Sequence, residues 1–256
     1  TFYQNAGAAA DLSPAILERT LFHATNSYFI PNVKARAYSC KTNLPPNTAF
    51  RGFGGPQGMF VIEAAIHQAA RALNIDPAII QEKNLLKEGD EFPYGQLVDG
   101  DEAQRCWREV KKRYDYSGIK KAIAEFNSEN HQYKRGYAMM PVCFGISFTN
   151  TQMNNARALV HVYQDGSVGV STGAVEMGQG VNTKLLQVAA QVFGIGPERI
   201  KIESTNTTRV ANTSPSAASS TTDLNGKALQ DACLQILTRL KGVAAEHCKT
   251  DPDSVQ

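Results

Sequence analysis

The spacing of apolar residues changes once along this chain, across the polar stretch Asn127-Ser-Glu-Asn-His-Gln-Tyr-Lys-Arg-Gly136. Before it the pattern is helical. Ser13-Pro14 reads as a cap and first-turn pair opening a helix to about His23. Met59, Ile62, Ile66, Ala69 and Leu73 share one helix face. Asp76-Pro77 starts a short helix, Asp101 could cap another through Val110, and Ile119, Ile123 and Phe126 mark one more. Residues 41–58 and 88–100 read as loops. After the polar stretch, Ala158–Tyr163 and Val168–Thr172 flank Asp165-Gly166 as a hairpin. Gly178-Gln179-Gly180 opens a helix that Gly194 stops, Arg199–Glu203 alternates like a strand, and a helix from about Asp223 to Cys248 follows. No repeat is visible. The order is helix-rich first, then ββαβα. The expected class is α+β, with helices packed on short sheets and two mixed subdomains, 1–134 and 135–256.

Composition narrows the function classes. A chain of 27.8 kDa can bury about 70 % of its unfolded surface, enough for one large core or two modest ones. Charged residues are 20 %, apolar residues 42 % and mean hydropathy is -0.31, which argues against global disorder. A net charge of +2 offers nothing to drive nucleic-acid binding. No apolar run approaches the roughly 20 residues of a membrane span. Five cysteines without a CxxC pair suit a reducing compartment, so a cytoplasmic location is expected. Starting at Thr1 and stopping at Gln256, the chain reads as an internal or processed piece of a longer polypeptide.

Three segments could carry chemistry. Arg51-Gly-Phe-Gly-Gly-Pro-Gln57-Gly58 precedes a helix, and its glycines let backbone approach a ligand closely. Arg51 adds a fork of donors, and a helix start suits an anion. The spacing is neither a P-loop nor a dinucleotide fingerprint. A tight loop entering a helix explains it equally, with Phe53 a core plug or a stacking platform. Glu176-Met-Gly-Gln-Gly180 repeats the arrangement, and the Gln179 amide can both donate and accept. An ordinary strand-to-helix turn is the plain alternative. From Ser204 to Asp223, 11 of 20 residues are Ser or Thr, and Ala217-Ala218 leave room for a flat ligand. A capped hydroxyl-rich loop is the alternative there. Together the three helix starts favour one large anionic, heterocyclic ligand. No GxSxG elbow or nucleophilic triad is present. His23, His67, His131, His161 and His247 are isolated and read as packed or solvated, and no His/Cys spacing suggests a zinc.

Taken together, these motifs resemble the molybdenum-cofactor-binding part of the xanthine dehydrogenase/xanthine oxidase family. The matching segments are Glu18-Arg-Thr-Leu-Phe-His23, residues 41–57, Phe144-Gly-Ile-Ser-Phe-Thr149, Glu176-Met-Gly-Gln-Gly180 and Ser214-Pro-Ser-Ala-Ala-Ser219. They run in order over nearly the whole chain. The resemblance implies hydroxylation of a purine such as hypoxanthine or xanthine, with oxygen from water. Electrons would pass from molybdopterin through [2Fe-2S] clusters and FAD, held outside this chain, to NAD or oxygen. Arg51 and Gly52 would lie beside the cofactor, and Gly178 and Gln179 beside the molybdenum centre. Ala217, Ser219, Thr221 and Thr222 would surround the cofactor's polar end, and no side chain would ligate the metal directly. Phe53 and Phe148 match the rings that sandwich the purine, Thr149 a substrate-contacting hydroxyl, Ala218 the pocket floor and Leu12 an apolar channel wall. Arg19 matches the arginine that orients the purine. Attack of a water-derived oxygen pushes charge onto the purine ring, which a fixed guanidinium stabilises in the transition state. Taken alone, Arg19 would read as a surface residue.

By the same resemblance, the catalytic base and a second substrate glutamate fall outside this chain, and neither Glu63 nor Glu176 replaces them. The implied partners are a purine, the remaining domains or subunits of the enzyme and a second copy of the assembly, with neither nucleic acid nor membrane. Alone, the fragment is expected to be inactive. Asn150 and Lys34-Ala-Arg36-Ala-Tyr38 depart from the family pattern. A hydroxylase for another N-heterocycle or an aldehyde, and a non-catalytic phosphate- or nucleotide-binding module, are the other readings.

Overall fold

The computed structural model describes residues 1–210 and 212–255. The chain divides into two compact units after Gly145.

The first unit contains β1 (Phe2–Gly7), α1 (Ser13–Phe22), β2 (Ala37–Lys41), α2 (Gly55–Leu73), α3 (Pro77–Asn84), α4 (Glu102–Arg113) and α5 (Tyr116–Glu129). β1 and β2 pair in parallel, Phe2 opposite Ala37. The sequence reading misses both strands. They carry little buried apolar alternation, the signal that reading depends on: Tyr3 is 75 % exposed and only stacks on Tyr38, centroids 5.4 Å apart. The core of this unit gathers Tyr28, Ile66, Ala78, Leu85 and Trp107, with Ile62 and Ile80 against it.

The helix starts of the first unit depart from expectation in detail. Leu12, not Ser13, occupies the N-cap of α1; the buried Ser13 hydroxyl instead donates to the Asn47 carbonyl at 2.6 Å. α2 begins at Gly55, inside the segment read as loop, because Gly54 turns the chain with φ 102°. Asp101 stands at the N-cap of α4 as expected, but its carboxylate accepts the Glu88 N–H at 2.9 Å and closes the 88–100 loop instead of capping the helix.

Asp76 does cap α3. It accepts the Ala78 N–H at 2.9 Å and receives Lys120 Nζ at 2.6 Å and the Tyr116 hydroxyl at 3.3 Å. Burial raises its pKa, but Lys120 and the Ala78 N–H outweigh that and leave it below the usual carboxylate value. Asp76→Ala is expected to lose about 1–2 kcal/mol at neutral pH. The folded pKa is the lower one. This contribution is therefore complete above the unfolded pKa near 3.8 and disappears as pH falls through the folded value. Denaturant unfolding of wild type and variant at pH 7 and pH 2 checks it, the difference shrinking in acid.

The polar stretch does not end the first unit. Residues 137–145 remain fastened to it. Gln81 Nε2 donates to the Met139 carbonyl at 2.9 Å, and Asn26 Nδ2 donates to that of Pro141 at 2.7 Å. The Cys143 N–H donates to Asn26 Oδ1 at 3.1 Å. The buried Glu63 carboxylate organises those amides, accepting from Tyr28 Oη at 2.6 Å, Gln81 Nε2 at 2.8 Å and Asn26 Nδ2 at 3.3 Å. The unit therefore closes eleven residues beyond the expected 134/135 boundary.

The second unit contains β3 (Ala158–Val162), β4 (Val168–Thr172), α6 (Val181–Phe193), β5 (Ile200–Ile202) and α7 (Thr221–Cys248). The sheet order is β3-β4-β5. β3 and β4 form the expected hairpin, and α6 connects β4 to the parallel β5. Val160, Val168 and Val170 of the sheet pack with Val181, Leu185, Ala189, Leu229 and Cys233 of α6 and α7. Burial pushes the Cys233 thiol up to about 11, so it is an inert core residue. Gly194 caps α6 with φ 67°, as its position implies. The expected α+β class, with helices on short sheets, is what forms. No helix among the described residues is long and apolar enough to cross a membrane.

Candidate functional site

In the first unit the Arg51-Gly-Phe-Gly-Gly loop lies against α1. Gly52, Phe53 and Gly54 all have positive φ, at 94°, 47° and 102°. That run of left-handed backbone is costly at Phe53, and strain of this kind concentrates at functional sites. The Thr20 hydroxyl lies 3.0 Å from both the Gly54 and Ile16 carbonyl oxygens and fastens the loop to the helix. Gly55 faces the Phe144 ring, and Gly58 faces the Thr20 and His23 backbone, so α2 approaches without side chains. Arg51 is exposed, Gly52 and Phe53 are half-buried, and Leu12 is exposed at the start of α1.

Arg19 is not a surface residue. It is 3 % exposed. Its guanidinium donates to the Gly145 carbonyl and lies 5.4 Å from the Phe144 ring centroid. Burial lowers its pKa, and the Glu18 carboxylate opposes that shift. Sequence reasoning sets aside His23, which stands four residues after Arg19 and so on the same helix side. It is buried against the Phe144 ring, centroids 5.1 Å apart.

In the second unit three motif segments are stitched together. The Ser147 N–H donates to the Ala218 carbonyl at 2.8 Å, which places the Phe148-Thr149 segment beside the Ala217-Ala218 pair. Asn154 clamps the Phe148 backbone: its Oδ1 accepts the N–H at 2.9 Å and its Nδ2 donates to the carbonyl at 3.0 Å. The Asn155 N–H reaches Ser214 Oγ at 2.8 Å, and the Val175 N–H reaches Ser216 Oγ at 2.8 Å. Sequence reading passes over Asn154 and Asn155. Their only sequence signal is the paired amides six and seven residues after Phe148.

The loop before α6 differs from expectation. The Glu176 carboxylate accepts the N–H groups of Gly178 at 2.9 Å, Gly180 at 3.0 Å and Asn182 at 3.1 Å. The Asn182 N–H, then that of Gly180, hold its pKa below the usual range. This helix start already has its anion, so it is not the third anion site the glycine pattern suggests. Gln179 folds onto its own loop, accepting the Met177 N–H at 2.6 Å and donating to the Val175 carbonyl at 2.7 Å.

The loop before α7 is different. Ala218 and Ser219 are consecutive left-handed residues, with φ 54° and 55°. α7 starts at Thr221, two residues before the expected Asp223, and has no side-chain cap. Thr221 and Thr222 thus stand on its first turn, with Ser219 exposed just before it. The buried Asn225 Oδ1 has no partner one turn further on. Uncapped N–H groups and three hydroxyls form a donor-rich set for a phosphate-bearing, heterocyclic cofactor, and the unpaired Asn225 amide oxygen adds an acceptor. Among the described residues, no three His, Cys, Asp or Glu side chains gather as metal ligands.

Two family models match the chain, the second beginning inside the first compact unit. A family model described as "Molybdopterin cofactor-binding domain" matches residues 1–85, and a second with the same description matches 109–256. The chain is 47 % identical over 249 residues to a xanthine dehydrogenase/oxidase of Gallus gallus, covering 97 % of this chain and 18 % of that protein. It is 47 % identical over 245 residues to xanthine dehydrogenase 1 of Arabidopsis thaliana, covering 96 % of this chain and again 18 % of the relative. The chain thus spans about a fifth of these relatives' length. Its backbone is similar to the aldehyde oxidoreductase of Desulfovibrio gigas, with a TM-score of 0.71 and 23 % identity over 92 % of this chain and 26 % of that one.

Proposed function

Because the chain belongs to the molybdopterin cofactor-binding domain family, we propose that it supplies cofactor- and purine-binding residues to a molybdenum hydroxylase that oxidises hypoxanthine and xanthine to urate. The observation that carries this reading is Arg19. A guanidinium buried to 3 % exposure, aimed by a backbone carbonyl and an aromatic ring, is built for an anionic or charge-developing ligand. The 47 % identity to xanthine dehydrogenases over nearly the whole chain supports the same substrate class.

Ser219, Thr221, Thr222 and the start of α7 would hold the cofactor's polar end, with Ala217 leaving space. Gly178 and Gln179 would face its metal centre. Gln179 could do so after giving up its bonds within the loop. Arg51 and Gly52 would contribute a cation and close backbone approach. When bound, the group supplies a two-electron redox centre. The protein's part is to bind, orient and stabilise. Phe53 offers one ring to the purine, Phe148 another, and Thr149 a hydroxyl; Ala218 and Leu12 are apolar boundaries. Arg19 orients the purine and stabilises negative charge on it as oxygen is added. The remaining domains of the parent enzyme would carry the [2Fe-2S] clusters and FAD, and the assembly would be a homodimer. Five free thiols suit a reducing, cytoplasmic setting.

The test uses the full-length parent enzyme with any partner subunits. Molybdenum content is measured beside turnover of xanthine and of a small aldehyde. Urate formation by a molybdenum-containing protein is expected. Oxidation of the aldehyde without xanthine overturns the purine assignment.

A further inference from the structure

We propose that His23 is the positioning residue for Arg19: as a neutral imidazole it ties the end of α1 to Gly145, whose carbonyl receives the guanidinium. The bonds form a closed ring. His23 Nδ1 lies 2.8 Å from the Arg19 carbonyl oxygen, and His23 Nε2 lies 3.0 Å from the Gly145 nitrogen. Gly145 then presents its carbonyl to the Arg19 guanidinium. A backbone N–H can only donate, so Nε2 accepts and the ring proton sits on Nδ1, donating to Arg19. One residue, Gly145, therefore has its N–H held by His23 and its carbonyl held by Arg19. The Phe144 ring lies against both side chains.

Protonating His23 would break the Gly145 bond and place a second cation beside Arg19. The surroundings oppose that. The charged neighbour on α1 is Arg19. α2 presents Gly55 and Gly58 at this point, and its buried carboxylate, Glu63, is engaged by Tyr28, Gln81 and Asn26. The 144–145 segment presents an aromatic ring. Burial lowers the His23 pKa, the Arg19 carbonyl opposes, and the Arg19 charge lowers it further. The clamp thus stays neutral at physiological pH and fixes where the guanidinium points. A shift of an ångström in such a group can reduce rate by about 10²-fold.

The turnover part of the test rests on the purine reading; the exchange part does not. In the full-length enzyme, His23→Phe keeps a flat ring but loses both bonds. His23→Gln keeps an acceptor for Gly145. His23→Phe is expected to lower kcat/KM for xanthine by about 10²-fold and to weaken equilibrium binding of xanthine. His23→Gln should recover most of both. The double variant with Arg19→Met should be no slower than Arg19→Met alone, to within about threefold, because His23 acts through Arg19. Losses that multiply in the double variant overturn the proposal. Independently, hydrogen exchange of the peptide spanning Phe144-Gly145 should accelerate in His23→Phe and be restored in His23→Gln. Unchanged exchange there overturns the clamp whatever the substrate proves to be. Should Arg19→Met leave urate formation intact while exchange responds as expected, the role of Arg19 in purine oxidation falls and the clamp stands.

Discussion

In the full-length enzyme, Arg19→Met is expected to lower kcat/KM for xanthine by about 10³-fold, the upper range for removing one preorganised donor from a reacting site. The effect should fall largely on kcat, because the guanidinium matters most when charge develops on the purine. Methionine is close to arginine in length and flexible enough to fill the buried space beside the Phe144 ring. The lost bond to the Gly145 carbonyl costs about 1–2 kcal/mol, too little to unfold a domain. Molybdenum content should therefore stay near wild type. A small aldehyde develops no charge on a heterocycle, so its turnover should fall far less. Steady-state kinetics with both substrates, beside metal analysis, decides the matter. Equal losses on both substrates would return Arg19 to a structural role.

What the sequence shows and hides follows from where the signals lie. α2, α3, α6, the β3-β4 hairpin and β5 are legible because apolar periodicity and turn residues agree at each. β1 and β2 are hidden because their sequences carry little apolar alternation, and only Ala6 and Gly7 at the end of β1 are buried. The boundary is misplaced because polar composition at 127–136 marks a surface loop. What fixes residues 137–145 to the first unit is a set of backbone carbonyls held by Gln81 and Asn26, invisible to any pattern of side chains. The site divides in the same way. Arg19 cannot be told from a surface arginine by periodicity, and only the resemblance singles it out. Glu176 is visible in the motif, yet its role as the internal anion of α6 depends on three N–H groups converging on one carboxylate. That removes one of three supports for a phosphate-binding module and leaves the start of α7 as the donor-rich one.

The largest structural effect is expected at Gly54. Gly54→Ala should destabilise the first unit by about 4 kcal/mol or more, combining backbone strain with overpacking. At φ 102° this residue lies beyond even the usual left-handed region for side chains. A Cβ there would overlap the Ile16 carbonyl oxygen and crowd the Thr20 nitrogen. Both are backbone atoms of α1, so no rotamer change relieves the clash. The loop would have to lift from the helix, breaking the Thr20 hydroxyl contact with Gly54 and disturbing the turn that carries Arg19. Gly180→Ala is the control. It also has positive φ, at 74°, but a Cβ there meets nothing within 4 Å, so strain alone should cost about 1 kcal/mol. Thermal melts and molybdenum content of the full-length variants compare the two. Gly54→Ala should lower Tm by several times the shift at Gly180 and reduce cofactor loading. Equal shifts would mean that the Arg51-Gly-Phe-Gly-Gly loop is not pinned to α1, and Arg19 would lose the backbone frame that aims it.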